Sequence, residues 1–556
     1  MSQELRSPLR SKEEKNHGAV VSIDLGTTNT VVAVVRDGDI QVMDIPDIAR
    51  PRDPEMQGYS YPTPLVPSAV FLQEYQERFL FFFRRRRQLV LIGQQALDQN
   101  IEGDARGFAG EFKPLLGTSD RRPILQGKTN SFDARQVTQF FLERLMRSLA
   151  PLMEGRAEDL IIPTPVGYYE PYRAELQEIA SGLGVKRFRS VDEPIAAALG
   201  LGIDITKPQT LLVCDFGGGT VHVAIVRTGA QSGESGQAKV LAKSMLRVGG
   251  RDVDLYVARR FCPDALVNMS EFEWSLKREG ERVKEEASRG GAPRFTSGNR
   301  VSDPFTREDL IELLEENGFY KVIRETVQGA LAELEQSTSM TVEEKEINEA
   351  VLTGGSSLLP GVPEVVMDIV GRDKVRELLP TESPFEVVAR GACVFASGAP
   401  IVDFIYHDYA LGVYNEHTRE VEYELLVPRR TRYPTAQDFA TRYYADYNGM
   451  AEMNFRVSEV GRNRMKPMDW CTRENGASYW VPAVADDKSL VADDRSLVVD
   501  LNPGDPAIRL SPAGVGTSPR LRVDYSVNAD RWICMTVQDL VRKTFLRRNL
   551  PVVRLR

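Results

Sequence analysis

The stretch "DFGGGTVH", residues 215–222, is the most informative in this 556-residue chain. A glycine loop here joins the apolar run "TLLVC" to the alternating run "VHVAIV", which predicts two strands. Glycine runs mark places where the backbone turns sharply or where another molecule approaches it closely. The stretch "VVSIDLGTTNTVVAVV", residues 20–35, repeats the order: Asp24 ends a strand and Gly26 and Thr27 make the turn. Two such hairpins call for a common explanation.

The length and composition limit the kinds of protein that this chain can be. The chain is long enough for roughly three or four structural units, and 42% hydrophobic with 27% charged residues is typical of a folded globular protein. A net charge of -9 argues against broad electrostatic binding to nucleic acid. Five widely spaced cysteines form neither a disulfide framework nor a zinc motif, which fits a reducing cytoplasm.

Two segments bear on targeting and membranes. Residues 1–18 are polar and are predicted to be a flexible extension without a secretory signal. In "RFLFFFRRRRQLVLIG", the apolar runs on either side of Arg84, Arg85, Arg86 and Arg87 are too short to span a membrane. We predict an extended hairpin with these arginines at its charged tip, in preference to a site for anionic lipid or a partner. We expect no membrane span.

The sequence divides into two domains. Residues 19–398 mix strands with amphipathic helices: Val137, Phe140, Phe141, Leu145 and Leu149 share one helical face, and Thr306 with Asp309 forms a capping-box-like start. After residue 408, alternating runs such as "EMNFRVSEV" and "RLRVDYSV" predict an all-β domain at 409–556. Residues 399–408 are predicted to be the linker between the domains.

The two glycine loops have the features of a phosphate site. In each, a carboxylate ends a strand and main-chain N–H groups face outward in a turn that a phosphate can approach. Two hairpins face to face would hold one polyphosphate, with Asp24 and Asp215 converging on a magnesium ion that keeps several of its waters. The alternative is that each loop is a tight turn whose aspartate caps the local backbone.

Three further segments of the chain are rich in small residues. In "AVLTGGSSLLPGV", Gly354 and Gly355 end an apolar strand, which suits close approach to a nucleoside. The segments "SVDEPIAAALGLG" and "VVARGACVFASG" predict helices that pack tightly against a neighbour.

Taken in order, "IDLGTTNT", "DFGGGTVH", "TGGSS", the "DEPIAAA" helix and the "ARGA" helix resemble the signature segments of the actin-like ATPase superfamily. Their spacing and the β-rich region behind them resemble the seventy-kilodalton heat-shock chaperones, the DnaK-like family. The resemblance covers the chain from about residue 20 onward. It implies an α/β actin-like ATPase of two lobes with ribonuclease-H-like subdomains, followed by a β-sandwich that binds extended peptide.

The resemblance also implies ATP or ADP and Mg²⁺ as cofactors, and K⁺ is a candidate third. Lys113 matches the catalytic lysine, Thr220 would orient the attacking water, and Glu193 would contact the metal with Asp24 and Asp215. The residues matched to the phosphate cradle are Gly26, Thr27, Thr28, Gly217, Gly218 and Gly219. Those matched to nucleoside contacts are Gly249, Gly250, Glu281, Lys284, Ser288, Gly354, Gly355 and Ser356. Pro165 and Arg173 match the proline switch and arginine relay between domains.

The chain departs from this family at several positions. His222 replaces an acid beside the phosphates and the monovalent-cation site, so cation dependence and hydrolysis rate are expected to differ. Glu285 and Leu358 replace arginines that sandwich adenine, and Asp403 interrupts an apolar linker, which is expected to weaken interdomain coupling.

The expected function is that of an ATP-driven chaperone. Its predicted partners are unfolded peptide, a J-domain co-chaperone and a nucleotide exchange factor. The alternative is an ATP-binding regulator or exchange-factor-like scaffold with little hydrolysis; sugar or acetate kinases and filament-forming relatives are disfavoured by the β-sandwich and linker. Met453 and Phe455 are candidates for the peptide cleft, or else they face the sandwich core. The sequence ends at "LPVVRLR", where the sandwich should end, so we expect no helical lid and faster peptide dissociation.

Overall fold

The fold is described from a computed structural model. It describes residues 19–36, 38–51, 63–79, 83–100, 107–118, 121–128, 130–153, 157–165, 170–203, 207–229, 238–263, 274–335, 345–379, 382–397, 401–402, 405, 408–415, 420–428, 431, 435, 439–444, 448–453, 455–461, 468–472, 478–482, 497–501, 508–515, 519–528 and 532–554. The chain divides into two compact units. The first unit comprises Met1–Val166, Glu175–Pro400 and Met465–Val484, and the second comprises Gly167–Ala174, Ile401–Arg464 and Ala485–Arg556.

Strands and helices are mixed along the chain up to residue 397. The strands there are β1 (Ala19–Leu25), β2 (Asn29–Arg36), β3 (Asp39–Val42), β4 (Val66–Pro67), β5 (Ala69–Phe79), β6 (Phe83–Ile92), β7 (Phe108–Gly110), β8 (Leu125–Gln126), β9 (Ser131–Phe132), β10 (Ala157–Thr164), β11 (Arg187–Asp192), β12 (Gln209–Phe216), β13 (Val221–Thr228), β14 (Ala238–Leu246), β15 (Arg294–Ser297), β16 (Arg300–Pro304) and β17 (Glu349–Thr353). The α-helices described are Gly93–Gln99, Ala134–Leu149, Glu170–Gly182, Glu193–Gly200, Gly250–Phe261, Trp274–Ser288, Arg307–Glu316, Phe319–Glu335, Val362–Val370 and Val387–Ala396. Short 3₁₀ turns are Lys113–Leu115, Ala150–Leu152, Gly355–Leu358 and Arg372–Lys374.

Two sheets of the first unit repeat one arrangement. The first has the order β11-β10-β1-β2-β3, and the second contains β17-β12-β13-β14 in that order. In each, three antiparallel strands follow one another, and the first of them also pairs with a later parallel strand, β10 or β17. The two aspartate-led glycine loops are therefore the equivalent turns β1–β2 and β12–β13, and the predicted hairpins are confirmed.

The two small-residue helices cross each other. Glu193–Gly200 follows β11 of the first sheet but contacts β12 and β13 of the second, whereas Val387–Ala396 packs on β1, β2 and β10. A Cβ atom placed on Gly391 would lie 1.6 Å from the carbonyl oxygen of Ala196, and one on Gly200 would lie 1.9 Å from that of Val387. The predicted tight packing of these helices is confirmed.

Two helices of the first unit begin at capping boxes. The predicted capping box of Thr306 with Asp309 begins the helix Arg307–Glu316, and a second box, which was not predicted, begins the helix Ala134–Leu149 at Asp133. The arginine-rich segment is part of an antiparallel hairpin, but its arginines lie in the returning strand β6 and not at the tip. Strand pairing continues to Phe79 and Phe83, so the placement of the arginines at the tip was wrong.

The region after residue 400 is built from strands. They are β18 (Ile401–Val402), β19 (Asp408–Asn415), β20 (Glu420–Val427), β21 (Phe439–Tyr444), β22 (Met450–Met453), β23 (Val457–Gly461), β24 (Met468–Thr472), β25 (Ser478–Pro482), β26 (Leu497–Asp500), β27 (Ile508–Gly514), β28 (Pro519–Val527), β29 (Trp532–Asp539) and β30 (Thr544–Arg554). The second unit contains two four-stranded sheets, β20-β19-β23-β26 and β21-β28-β29-β30, which share one hydrophobic core. The hairpin β24–β25 belongs to the first unit.

Met453 and Phe455 lie in this core of the second unit. They are only 7% and 5% exposed, and the ring of Phe455 lies 5.1 Å from that of Tyr443. Both side chains thus pack as the core alternative expected and offer little surface to a peptide. Asp403 and the extension 1–18 lie outside the described residues. Within the described part of the chain, no helix has the length and hydrophobicity needed to cross a membrane.

Candidate nucleotide site

The two glycine loops lie face to face. A Cβ atom on Gly218 would come within 2.4 Å of Oγ1 of Thr28, and one on Gly219 within 2.7 Å of Oγ1 of Thr27. Glycine is required here because the opposing loop occupies the space of a side chain. The hydroxyl of Thr28 is buried and has no hydrogen-bond partner among the described residues. A buried hydroxyl of this kind suits a phosphate oxygen, so these loops fit a polyphosphate.

The second loop is continued by the start of a helix. The N–H of Gly250 donates to the carbonyl oxygen of Gly217 at 3.1 Å, and the N–H of Arg251 donates to that of Gly218 at 2.8 Å. A Cβ atom on Gly249 would lie 2.6 Å from the carbonyl oxygen of Gly218. The helix Gly250–Phe261 is thus fixed to the backbone of the second glycine loop.

One cavity of about 1090 Å³ collects most of the predicted site residues, which is ample for a nucleotide. Its lining includes Asp24, Gly26, Thr27, Thr28, Lys113, Glu193, Asp215, Gly217, Gly218, Thr220, Gly250, Glu281, Lys284, Ser288, Gly354, Gly355 and Ser356. Gly219 and Gly249 adjoin the lining through the loops. Pro165, buried just after β10, and Arg173, on the helix Glu170–Gly182, are outside it.

A buried charge cluster forms one end of this cavity. The carboxylate of Glu193 is engaged on both oxygens: Nζ of Lys113 lies 2.5 Å from Oε1, and Nδ1 of His222 lies 2.7 Å from Oε2. Nδ1 of His222 is also 3.9 Å from Oδ2 of Asp215. One donor atom each of Glu193, Asp215 and His222 lies within 4.8 Å of the others, close enough to surround an ion. With Asp24 on the same cavity, the oxygens fit a hydrated Mg²⁺, and each oxygen of Glu193 also has one cationic side chain beside it.

Burial and neighbouring charges shift the pKa values of this cluster. Burial, and then the charge of Glu193, raise the pKa of Asp24 to about 8. For Glu193 the effect of burial is outweighed by Lys113 and His222, which lower its pKa to about 2. Burial alone would lower the pKa of His222, but the Glu193 and Asp215 carboxylates outweigh it and raise the pKa to about 9. Without a bound ion, these shifts favour the neutral form of Asp24 and the positively charged form of His222 at pH 7.

The other end of the cavity carries the predicted nucleoside contacts. Oγ of Ser356 donates to the carbonyl oxygen of Gly217 at 2.9 Å. Gly354 has a φ of 78°, and a Cβ atom there would lie 2.5 Å from Oδ1 of Asp215. Nζ of Lys284 lies 2.5 Å from Oδ1 of the buried Asp254. This end is thus joined to the phosphate loop through backbone and side-chain contacts.

Two contributors were missed from the sequence. Arg50 donates to Oε1 of Glu281 at 2.7 Å and lies 3.9 Å from Glu285, so a guanidinium lines the cavity beside these two carboxylates. Glu111, two residues before Lys113, forms an ion pair with Lys277. Arg50 lies in "DIARPRDP", which has no periodic pattern. Glu111 lies in "GEFKPLLG", where only Lys113 was matched to a residue of the family.

Comparisons with known proteins agree on one family. The family model described as "Hsp70 protein" matches residues 20–468. A Trypanosoma cruzi protein named "Heat shock 70 kDa protein, mitochondrial" is 25% identical over 446 residues, which are 77% of this chain and 64% of that protein. A Vibrio campbellii protein named "Chaperone protein HscA homolog" is 27% identical over 455 residues, 79% of this chain and 68% of that protein. The chain therefore spans about two thirds of the length of these relatives.

Proposed function

This chain belongs to the Hsp70 family, and on that premise we propose that it is an ATP-dependent chaperone whose glycine-loop cavity binds and hydrolyses ATP. Members of this family bind ATP or ADP with Mg²⁺ and hydrolyse ATP. In the proposal, residues 19–398 are the actin-like nucleotide-binding domain of two ribonuclease-H-like lobes. Residues 399–408 are the linker, and 409–556 are a β-sandwich that binds extended peptide.

The observation that carries the proposal is the apposition of the two glycine loops beside the Lys113–Glu193 pair. Main-chain N–H groups of residues 27–28 and 218–219 would bind phosphate oxygens from two sides, since the N–H groups of Gly26 and Gly217 donate to Asp24 and Thr220 within their own turns. Bound Mg²⁺ would neutralise phosphate charge, held mainly through water by Asp24, Asp215 and Glu193. The ammonium of Lys113 would orient the attacking water and offset developing charge, and the hydroxyl of Thr220 would hold that water near the terminal phosphate.

The remaining roles belong to the same proposal. Glu281, Lys284, Ser288, Gly354, Gly355 and Ser356 would contact the nucleoside. Pro165 and Arg173 would relay nucleotide state to the second domain. Unfolded peptide, a J-domain co-chaperone and an exchange factor are the proposed partners; K⁺ and a cytoplasmic location stay predictions.

A single-turnover ATPase measurement tests the proposal. Lys113→Ala should lower the hydrolysis rate constant about tenfold or more, because the lysine acts in the transition state, while ATP affinity changes little. Lys321→Ala is the matched control, since Lys321 is 65% exposed. Equal rates for the wild type and Lys113→Ala would contradict the catalytic role. Tight ATP binding without hydrolysis by the wild type would favour the alternative function, an ATP-binding regulator.

Coupling to the second domain needs a separate measurement. Peptide affinity should differ between the ATP and ADP states, because in an ATP-driven chaperone the bound nucleotide changes the affinity for peptide. Identical affinities in the two states would show that the domains do not communicate.

A further inference from the structure

Glu111 has an unusual backbone conformation next to the predicted catalytic lysine. Its φ is 53°, a left-handed value that favours glycine, and it lies between β7 and the 3₁₀ turn Lys113–Leu115. Such conformations persist where surrounding contacts hold them, and they are found at functional sites. The contacts of Glu111 therefore indicate what the conformation serves.

The carboxylate of Glu111 lies between two cationic side chains from other elements. It pairs with Nζ of Lys277 and lies 3.9 Å from the guanidinium of Arg251. The side chains of Glu111, Lys277 and Arg251 are 17%, 12% and 5% exposed. Solvent screens this small ionic cluster less than it screens a surface pair.

Each cation belongs to an element of the nucleotide site. The N–H of Arg251 donates to the carbonyl oxygen of Gly218 in the second glycine loop. Lys277 is on the helix Trp274–Ser288, which also carries Glu281, Lys284 and Ser288. Glu111 thus connects the Lys113 segment to both the phosphate loop and the nucleoside helix.

A close packing contact supports the same connection. A Cβ atom on Gly110 would lie 2.5 Å from the Trp274 ring, and that ring packs edge-on against Phe108 at 4.8 Å. The segment before Lys113 therefore lies directly on the start of the nucleoside helix, with no room for a side chain at residue 110.

We propose that Glu111 is a positioning residue: through Lys277 and Arg251 it keeps the Lys113 ammonium in register with the phosphate loop and the nucleoside helix. The inference rests on the proposed ATP hydrolysis. Without this carboxylate, Lys113 keeps its partner Glu193 but loses its fixed distance from the terminal phosphate. Displacement of the Lys113 ammonium relative to the terminal phosphate lowers the rate of phosphoryl transfer without removing a ligand contact.

Glu111→Gly separates charge from backbone strain, since glycine accepts the left-handed conformation and the variant should fold. We expect its single-turnover hydrolysis to fall about tenfold, with ATP affinity changed less than about twofold. The charge swap Glu111→Lys with Lys277→Glu should recover part of the rate, because it restores the ion pair between the two segments. Glu346→Gln is the control, because Glu346 is 64% exposed in a surface pair with Lys374.

A second readout does not depend on hydrolysis. Labelling of Lys113 by an amine-reactive reagent with ADP and Mg²⁺ present, followed by peptide mass spectrometry, should be several times faster in Glu111→Gly than in the wild type. Unchanged labelling together with an unchanged rate would overturn the inference. If the wild type binds ATP without hydrolysing it, the proposed function fails, and the labelling ratio alone decides the role of Glu111.

Discussion

Nδ1 of His222 lies 2.7 Å from Oε2 of Glu193 at the phosphate end of the cavity. The resemblance described above implies an acid at this position, whereas here an imidazole contacts the carboxylate. Because burial is outweighed by the carboxylates of Glu193 and Asp215, the imidazole carries a positive charge at neutral pH. The charge beside the predicted phosphate site is thus the reverse of the one that the resemblance implies, and this charge is measurable.

His222 should titrate far above an ordinary histidine. The chain has four histidines, so ¹³C-histidine NMR is practical, and His222→Asn identifies the resonance. We expect a midpoint near 9 instead of the ordinary 6.5. Since the folded-state pKa is raised, the pair stabilises the protein fully below pH 6.5, and this contribution is lost as pH rises through about 9. The loss of thermal stability in His222→Asn should therefore shrink between pH 6 and pH 10; a midpoint below 6.5 would show that burial dominates.

Asp24 should destabilise the folded protein at alkaline pH. Its pKa is raised from 3.8 to about 8, so its contribution to stability is full below pH 3.8 and is lost as pH rises through about 8. Asp24→Asn removes that loss, and its melting temperature should exceed that of the wild type by a margin that grows from pH 6 to pH 9. The exposed Asp303→Asn is the control. A margin that is constant with pH would refute the assignment to burial and neighbouring carboxylates.

Gly391 should not tolerate a methyl group. Its Cβ would lie 1.6 Å from the carbonyl oxygen of Ala196, so Gly391→Ala forces the two crossing helices apart and should cost about 1–3 kcal/mol. Gly182→Ala is a matched control, because Gly182 is also helical and has nothing within 4 Å of its Cβ position. It should be neutral or stabilising by about 0.4–1 kcal/mol. Urea unfolding followed by circular dichroism measures both, and equal effects would contradict the packing argument.

Phe455 distinguishes a core position from a peptide cleft. At 5% exposure, Phe455→Ala should destabilise the second unit by about 3–5 kcal/mol. Phe545→Ala, at a position 45% exposed in the same unit, should change stability by less than about 0.5 kcal/mol. If Phe455→Ala instead weakens peptide binding and leaves the denaturation midpoint unchanged, Phe455 belongs to the cleft.

Local sequence patterns predicted much of the fold and of the candidate site. Glycine and threonine at fixed offsets from Asp24 and Asp215 predicted both hairpins, because few residues allow such turns. The small residues of the two crossing helices predicted close packing for the same steric reason. From the duplication of the two loops we inferred that they face each other. The close approach of Gly218 to Thr28 shows that they do.

Contacts between segments distant in sequence were not predictable. The pairs Arg50–Glu281 and Glu111–Lys277 join residues more than 150 positions apart, and no local periodicity marks either partner. The role of His222 was likewise visible only as a departure from the family. Its proximity to Glu193 depends on how the helix Glu193–Gly200 meets β13, which is a property of tertiary packing.

The crossing of the helices Glu193–Gly200 and Val387–Ala396 has a mechanical consequence. Each helix lies on a different sheet of the first unit, and backbone meets backbone where they touch. Interlocking side chains would oppose sliding, since a ridge must leave its groove before the helices can turn. At Gly200 and Gly391 no side chain separates the two helices, so a rotation of the two sheets about this crossing would not require a rotamer change at these two contacts.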